Sequence, residues 1–338
     1  MRINPALLTC CALLAASAPL AAAPGKAIRL RIATQAPDGT VWMEAMNDIK
    51  REVQKRTKGR VKFEFYPNGS QGDEKAVIER MEAQIMDGGL FTGIGLGEVL
   101  PKIRILELPF TYSNTAELET VKAALEDEFK QGFEDKGFVM LGWAEVGWAY
   151  IFSKNEARNL EELRKRKIWR WQGDPLAERT FQSFELNGVP LALTGVLTSL
   201  ETGMIDSVYN SPYGLVGLQW HRDLRYMSRM NVGHGTGALL VRREAWEKIP
   251  TKMREGIAKL ARERLDQLLD EVRQKNEETI EELKGNGMKI IPIPEEEMPR
   301  YLELGKKTAD DMVGSLYTQE LLDKVRGILT EARAKSSE

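Results

Sequence analysis

The stretch from Lys252 to Lys284 constrains the fold more than any other part of the chain. It contains no proline, and Met253, Ile257, Leu260, Leu265, Leu268, Leu269, Val272, Ile280 and Leu283 recur on one helical face. The spacing predicts one long helix, capped by Thr251 and stopped at Gly285-Asn286-Gly287. About 33 residues at about 1.5 Å each reach about 50 Å, longer than a small lobe is wide. Such a helix serves two lobes. A coiled-coil arm is the competing reading, but the stripe alternates between steps of three and four for little more than four heptads.

The N-terminus has the form of a secretory signal peptide over residues 1–23. Arg2 precedes the apolar run Ala6-Leu7-Leu8 through Cys10 to Ala16, and Ala21-Ala22-Ala23 stand before Pro24. Cleavage is expected within 23–27, and the periplasm is the expected location. Both cysteines lie in this segment, so a cleaved chain has no disulfide, no thiolate ligand and no cysteine nucleophile. The remainder is too long for one ordinary core, which again suggests two lobes. A net charge of -2 argues against nucleic acid or an anionic membrane as partner.

Alternation at Ile28, Leu30 and Ile32, a helical pattern through Trp42, Met46, Ile49 and Val53, and renewed alternation at Val61, Phe63 and Phe65 predict a βαβ opening. A helix with Val77, Ile78, Met81 and Ile85 and a strand over Leu90–Leu96 extend it. Val139–Trp143 and Ala149–Phe152 read as strands flanking a glycine turn, and Gly237–Val241 as a strand returning to the first lobe. The expected class is α/β: a two-lobed periplasmic-binding-protein fold with mixed sheets flanked by helices, hinge strands, and the long helix spanning both lobes. Lobe I is placed at 28–148 plus about 236–270, lobe II at 149–235 plus about 271–338. Hinges are expected near Gly147–Ser153 and Gly233–Gly237.

Chemistry has little support. There is no G-x-S-x-G elbow, and the two histidines, His221 and His234, are not spaced to share a metal on one helix face. Neither a catalytic residue, a metal site nor a cofactor is expected. Gly93-Ile94-Gly95-Leu96-Gly97 lacks the sixth-position glycine of a dinucleotide fingerprint and reads as close backbone packing beside a cleft. Trp143, Trp148, Trp169, Trp171 and Trp220 cluster in the segments given to the lobe junction and lobe II, where indoles suit either a core or a ligand cleft.

Lys167-Ile168-Trp169-Arg170-Trp171-Gln172-Gly173-Asp174-Pro175, then Val189-Pro190-Leu191 and Leu200 through Pro212, resemble the DctP-type solute-binding proteins of TRAP (tripartite ATP-independent periplasmic) transporters. Phe65–Gly72 and Leu106–Phe110 fit the same pattern, so the resemblance covers most of the chain. It implies an extracytoplasmic receptor that closes on a small molecule and hands it to a TRAP membrane permease. It also implies two arginines holding an organic acid. Ala149 stands where the first is expected, in Gly147-Trp148-Ala149, and Trp169 where the second is expected, in Lys167-Ile168-Trp169. An indole cannot make the paired charged hydrogen bonds of a guanidinium, so the expected ligand is aromatic, apolar or neutral. Asn210 carries over from the family's Asn-Pro turn as a hydrogen-bonding residue. Gln35, Trp143, Glu145, Trp148, Trp169, Tyr209 and Arg170 complete the expected ligand-binding set, although Arg170 and Trp169 should point to opposite faces of a strand. Competing readings are a periplasmic enzyme on the same scaffold, a receptor for an ATP-driven permease, and a receptor working with a periplasmic helical-repeat accessory protein.

Overall fold

Two-residue alternation buries Leu30 and Ile32 in β1 (Ile28–Thr34) and Val61 and Phe63 in β2 (Val61–Tyr66), which pair in parallel around α1 (Val41–Arg56). The computed structural model describes residues 27–336; the leader segment expected over 1–23 lies outside them. Lobe I continues with α2 (Glu74–Glu82), β3 (Gly88–Thr92), α3 (Gly93–Val99), a 3₁₀ turn at Pro101–Glu107 and α4 (Thr115–Asp135). The chain crosses to lobe II in β4 (Phe138–Ser153). There it forms α5 (Leu160–Arg164), β5 (Ile168–Trp171), α6 (Pro175–Phe184), β6 (Gly188–Leu191), α7 (Val196–Glu201), β7 (Ser207–Asn210) and α8 (Pro212–Gly217). It returns in β8 (Tyr226–Arg242) and ends with α9 (Arg243–Glu247), α10 (Thr251–Gly285), β9 (Lys289–Ile291), α11 (Met298–Asp311) and α12 (Gln319–Ser336).

One mixed sheet runs through both lobes in the order β2-β1-β3-β8-β4-β7-β5-β6, with β9 beside β8. The long antiparallel pair β4–β8 is common to both halves. Apolar layers cover each half of the sheet on both faces. In lobe I, one face packs on residues of α2, α3 and α4, and the other on α1 and α10. In lobe II, one face meets α7 and α8, and the other α5, α6 and α11.

The expected pair of strands around a glycine turn is instead the single strand β4. Gly147, at φ +100°, sits at a register shift between the Glu145–Thr236 and Gly147–Gly235 pairs. A bulge absorbs the glycine without reversing the chain. A side chain there would also strike Asn276, whose Nδ2 donates to Val146 O (3.1 Å) and whose Oδ1 accepts from Tyr213 N (3.0 Å). The expected strand at Leu90–Leu96 stops at Thr92, whose hydroxyl accepts from Ile94 N and opens α3.

The long helix is present as α10. Ile257, Leu260, Leu265, Leu268 and Val272 enter a lobe I core and Leu283 a lobe II core, so it spans both lobes as expected. Thr251 is its first residue and not its cap: Pro250 precedes it, with no side-chain capping bond. The C-terminal residues depart from the expected division. α11 packs against α6 in lobe II, but α12 returns to lobe I, where Leu321, Leu322, Val325 and Leu329 join the core that contains Leu125 and Phe129 of α4.

Candidate functional site

Two adjoining cavities open where the lobes meet. The larger, about 210 Å³, runs from the interlobe boundary into lobe II; the smaller, about 100 Å³, lies toward the β1–α1 loop. Thr92, Val146, Trp171, Leu193 and Asn210 line both.

The charged wall of the larger cavity is built on the glycine series of α3. A Cβ on Gly93 would overlap the Glu107 carboxylate, one on Gly95 the Phe91 ring and the Glu74 carboxylate, and one on Gly97 the Arg104 side chain at 2.9 Å. Without side chains at these positions, the 3₁₀ turn folds back over α3 and turns Arg104 and Glu107 toward the lobe boundary. Arg104, 5 % exposed, makes two parallel hydrogen bonds of 2.9 Å each, Nη1 to Asp174 Oδ1 and Nη2 to Asp174 Oδ2. Its Nε lies 2.8 Å from Glu107 Oε2 but out of line for a hydrogen bond. Glu107 Oε1 accepts from Thr236 N (2.8 Å). Asp174 comes from lobe II, where it also caps α6 by accepting from Leu176 N. Burial alone would weaken the charge on Arg104; the two carboxylates outweigh that and hold its pKa above the usual arginine value. Burial pushes Glu107 up, with Arg104 opposing.

The other polar groups here are mostly spent. Burial lowers His234 to about 3, with Lys122 and Arg273 adding to the effect, so the ring is neutral. Its Nδ1 meets Thr236 Oγ1 at 3.3 Å, and the Trp148 ring stands edge-on to it at 5.1 Å. In the smaller cavity, burial raises Glu74 to about 7 although Thr92 N, Thr92 Oγ1 and Gly95 N all donate to it.

Among the expected residues, Trp169, Tyr209 and Asn210 line the larger cavity, and Gln35, Glu145 and Asn210 the smaller. Their chemistry differs from a row of open ligand contacts. Trp169 is stacked on by Tyr209 (5.0 Å, 19°) and flanked by Trp171 and Trp220, and its Nε1 donates to Leu191 O (3.0 Å). It is wall, packed against three aromatic rings. Tyr209 Oη accepts from Trp171 N (3.3 Å), and burial raises its pKa. Gln35 Nε2 donates to Gly72 O (2.7 Å), and Glu145 is held by Arg273 through bonds of 3.0 and 2.8 Å. Asn210 Oδ1 accepts from Ser211 N (2.8 Å).

Three expected residues line neither cavity. Trp143 packs edge-on to Phe129 (6.2 Å) in the lobe I core, beneath Lys122. Trp148 is spent on Thr115 Oγ1 and the edge of His234. Arg170 points away from Trp169 and lies 3.6 Å from Glu178, as strand alternation requires. The sequence reading missed Arg104, Glu107 and Asp174. Arg104 carries no local signal, because only the glycine series brings it to the boundary; Asp174-Pro175 as a helix start was a readable cue.

A two-lobed α/β protein whose buried site lies between lobes sharing a hinge-stranded sheet has the architecture of a solute-binding receptor. The chain belongs to the DctP family, bacterial extracellular solute-binding protein family 7, whose model matches residues 32–314. It is an extracytoplasmic, periplasmic receptor and not an enzyme. Among relatives, the 2,3-diketo-L-gulonate-binding periplasmic protein of Escherichia coli is 22% identical over 271 residues, covering 80% of this chain and 78% of the relative. Among solved structures, a TRAP solute-binding protein of Xanthobacter autotrophicus with bound β-D-galacturonate superposes with TM-score 0.81 at 20% identity, covering 89% of this chain and 99% of that one. Another, from Desulfovibrio salexigens with bound orotic acid, gives 0.82 at 16% identity, covering 90% and 99%. In keeping with the family, no helix among the described residues is long and apolar enough to cross a membrane.

Proposed function

We propose that this receptor captures an uncharged, mainly apolar small molecule, aromatic by preference, and delivers it to a TRAP-type permease. One observation carries the reading: Arg104, the one arginine among the described residues lining the two cavities, is already engaged face to face by Asp174 and flanked by Glu107. A ligand carboxylate entering beside that cluster would bring a third negative charge to one buried guanidinium, an uncompensated buried charge. The rest of the larger wall is apolar or aromatic, including Phe110, Ile151, Leu163, Trp171 and Phe181. The galacturonate and orotic acid in the neighbouring structures carry an acid that this wall does not invite; Ala149 and Trp169, where the family resemblance leads one to expect arginines, agree with that. The family and the neighbouring structures give no support for a periplasmic helical-repeat accessory protein.

The test is native mass spectrometry of the receptor purified from its host without refolding, followed by release and identification of the bound molecule. A neutral aromatic or aliphatic species is the expected result. A hexuronate or dicarboxylate in the site, or saturable quenching of tryptophan fluorescence by galacturonate at micromolar concentration, overturns the reading.

A further inference from the structure

The larger cavity continues beyond the lobe boundary, passing under α6 into the layer between the lobe II sheet and α5, α6 and α11. Ile151, Ile168 and Val232 from the sheet, and Leu163, Phe181 and Phe184 from the helices, form its inner walls. Cores are normally packed so that voids larger than a water are few. The volume of about 210 Å³ belongs to the interlobe mouth and the inner chamber together, and an apolar hole of about 150 Å³ already holds a benzene ring.

Two features mark this inner chamber as a place for a ligand. The first is Tyr301 of α11, which lines the chamber, is 1 % exposed, and has a hydroxyl with no hydrogen-bond partner. An unpaired buried hydroxyl is costly, and most such groups are satisfied. Burial also raises the Tyr301 pKa, so the group stays a proton donor. The second is Phe110, contributed by lobe I, which closes the chamber from outside. It stacks on Phe184 (5.4 Å, 29°) and lies 5.4 Å from Tyr301. Its φ of +54° is a left-handed conformation that a phenylalanine adopts only at a cost. Gly305 of α11 admits this turn, since a side chain there would meet Pro109 O at 2.6 Å.

We infer that this inner chamber is a second binding compartment behind the interlobe cleft, taking a single-ring or branched apolar group that bears one hydrogen-bond acceptor for the Tyr301 hydroxyl. The inference rests on the neutral-cargo reading and adds a shape to it: the ring sits inward under Phe110, and any further polar group lies outward beside Asn210. The chamber would select for size and for one acceptor beside Tyr301, whose hydroxyl also lies within electrostatic range of Glu297, Arg300 and Arg164.

Three probes on the intact receptor test this: acetophenone, which has a ring and a carbonyl; ethylbenzene, which has the ring alone; and galacturonate. Binding is followed by calorimetry and by ligand-detected NMR in wild type, Tyr301→Phe and Ala177→Leu, with thermal melts checking that each variant is folded. Ala177→Leu adds bulk to the chamber lining from α6. Acetophenone should bind wild type about tenfold more tightly than ethylbenzene, Tyr301→Phe should erase that difference while leaving ethylbenzene unchanged, and Ala177→Leu should weaken both. Equal binding of the two aromatics, insensitivity to both variants, or no aromatic binding at millimolar concentration overturns the chamber. Galacturonate binding overturns the neutral-cargo reading as well. A neutral solute that binds and ignores both variants leaves that reading standing and removes only the chamber.

Discussion

Arg104 and Asp174 meet across the lobe boundary through two hydrogen bonds of equal length, 2.9 Å, with both side chains 5 % exposed. Lobe I supplies the cation and lobe II the anion, so the protein itself provides the charge pairing between its halves. Breaking one side of such a pair should be severe. Asp174→Asn keeps a side chain able to cap α6 but removes the charge, and is expected to lower stability by about 3–5 kcal/mol in urea denaturation. The double variant Arg104→Leu/Asp174→Leu should recover much of that loss. Asp174→Asn should also gain measurable binding of benzoate, because the two Nη groups of the guanidinium would then lose their carboxylate while Glu107 stays beside Nε.

Glu74 should make the protein less stable as pH rises toward neutrality. Its carboxyl is held at about 7 by burial, against an ordinary 4.5. The folded state therefore keeps a proton that the unfolded chain releases, and this contribution is complete below about 4.5 and lost as pH rises through about 7. The span corresponds to about 3 kcal/mol. Urea midpoints of wild type and Glu74→Gln between pH 4.5 and 8 should diverge, with the variant showing the flatter profile.

His234 should act in the opposite direction. Burial holds it near 3, so the folded protein refuses a proton that the unfolded chain accepts below its ordinary 6.5. The stability it allows is complete above 6.5 and is lost as pH falls from there toward 3. His234→Gln should remove this acid sensitivity, read as a smaller fall in melting temperature between pH 7 and 5.

The glycines of α3 and α10 should respond oppositely to alanine. Gly93→Ala places a methyl into the Glu107 carboxylate and is expected to cost about 1–3 kcal/mol. Exposed Gly256, inside α10, has nothing within 4 Å of an added methyl, so Gly256→Ala should stabilise by up to about 1 kcal/mol. Paired denaturation curves check both signs.

Most of the architecture could be read along the chain, because it follows from local periodicity: the two-residue rhythm of β1 and β2 and the apolar stripe of α10 each demand one kind of element. The same rhythm misread β4, where a glycine bulge looks like a turn until the partner strand β8 is known. The site was less legible. Trp169 and Asn210 could be found because the family resemblance marks their positions, and Tyr209 because it stands beside Asn210 at the end of β7. Arg104 sits in a 3₁₀ turn whose direction depends on the absence of side chains at Gly93 and Gly97, and Tyr301 is nearly two hundred positions along the chain from it. Trp143 and Trp148 are expected at the site from residue type and their place at the lobe junction, and neither says which side of a strand faces the solute.

The return of α12 to lobe I has a mechanical consequence. Lobe II is joined to lobe I by four passages of chain: β4, β8, α10 and the return from α11 to α12. It is thus clamped like the free leaf of a spring, with no single swivel on which to turn. Any opening has to flex two bulged strands and a helix together, and Asn276 ties the helix to the strand at the point of flexure.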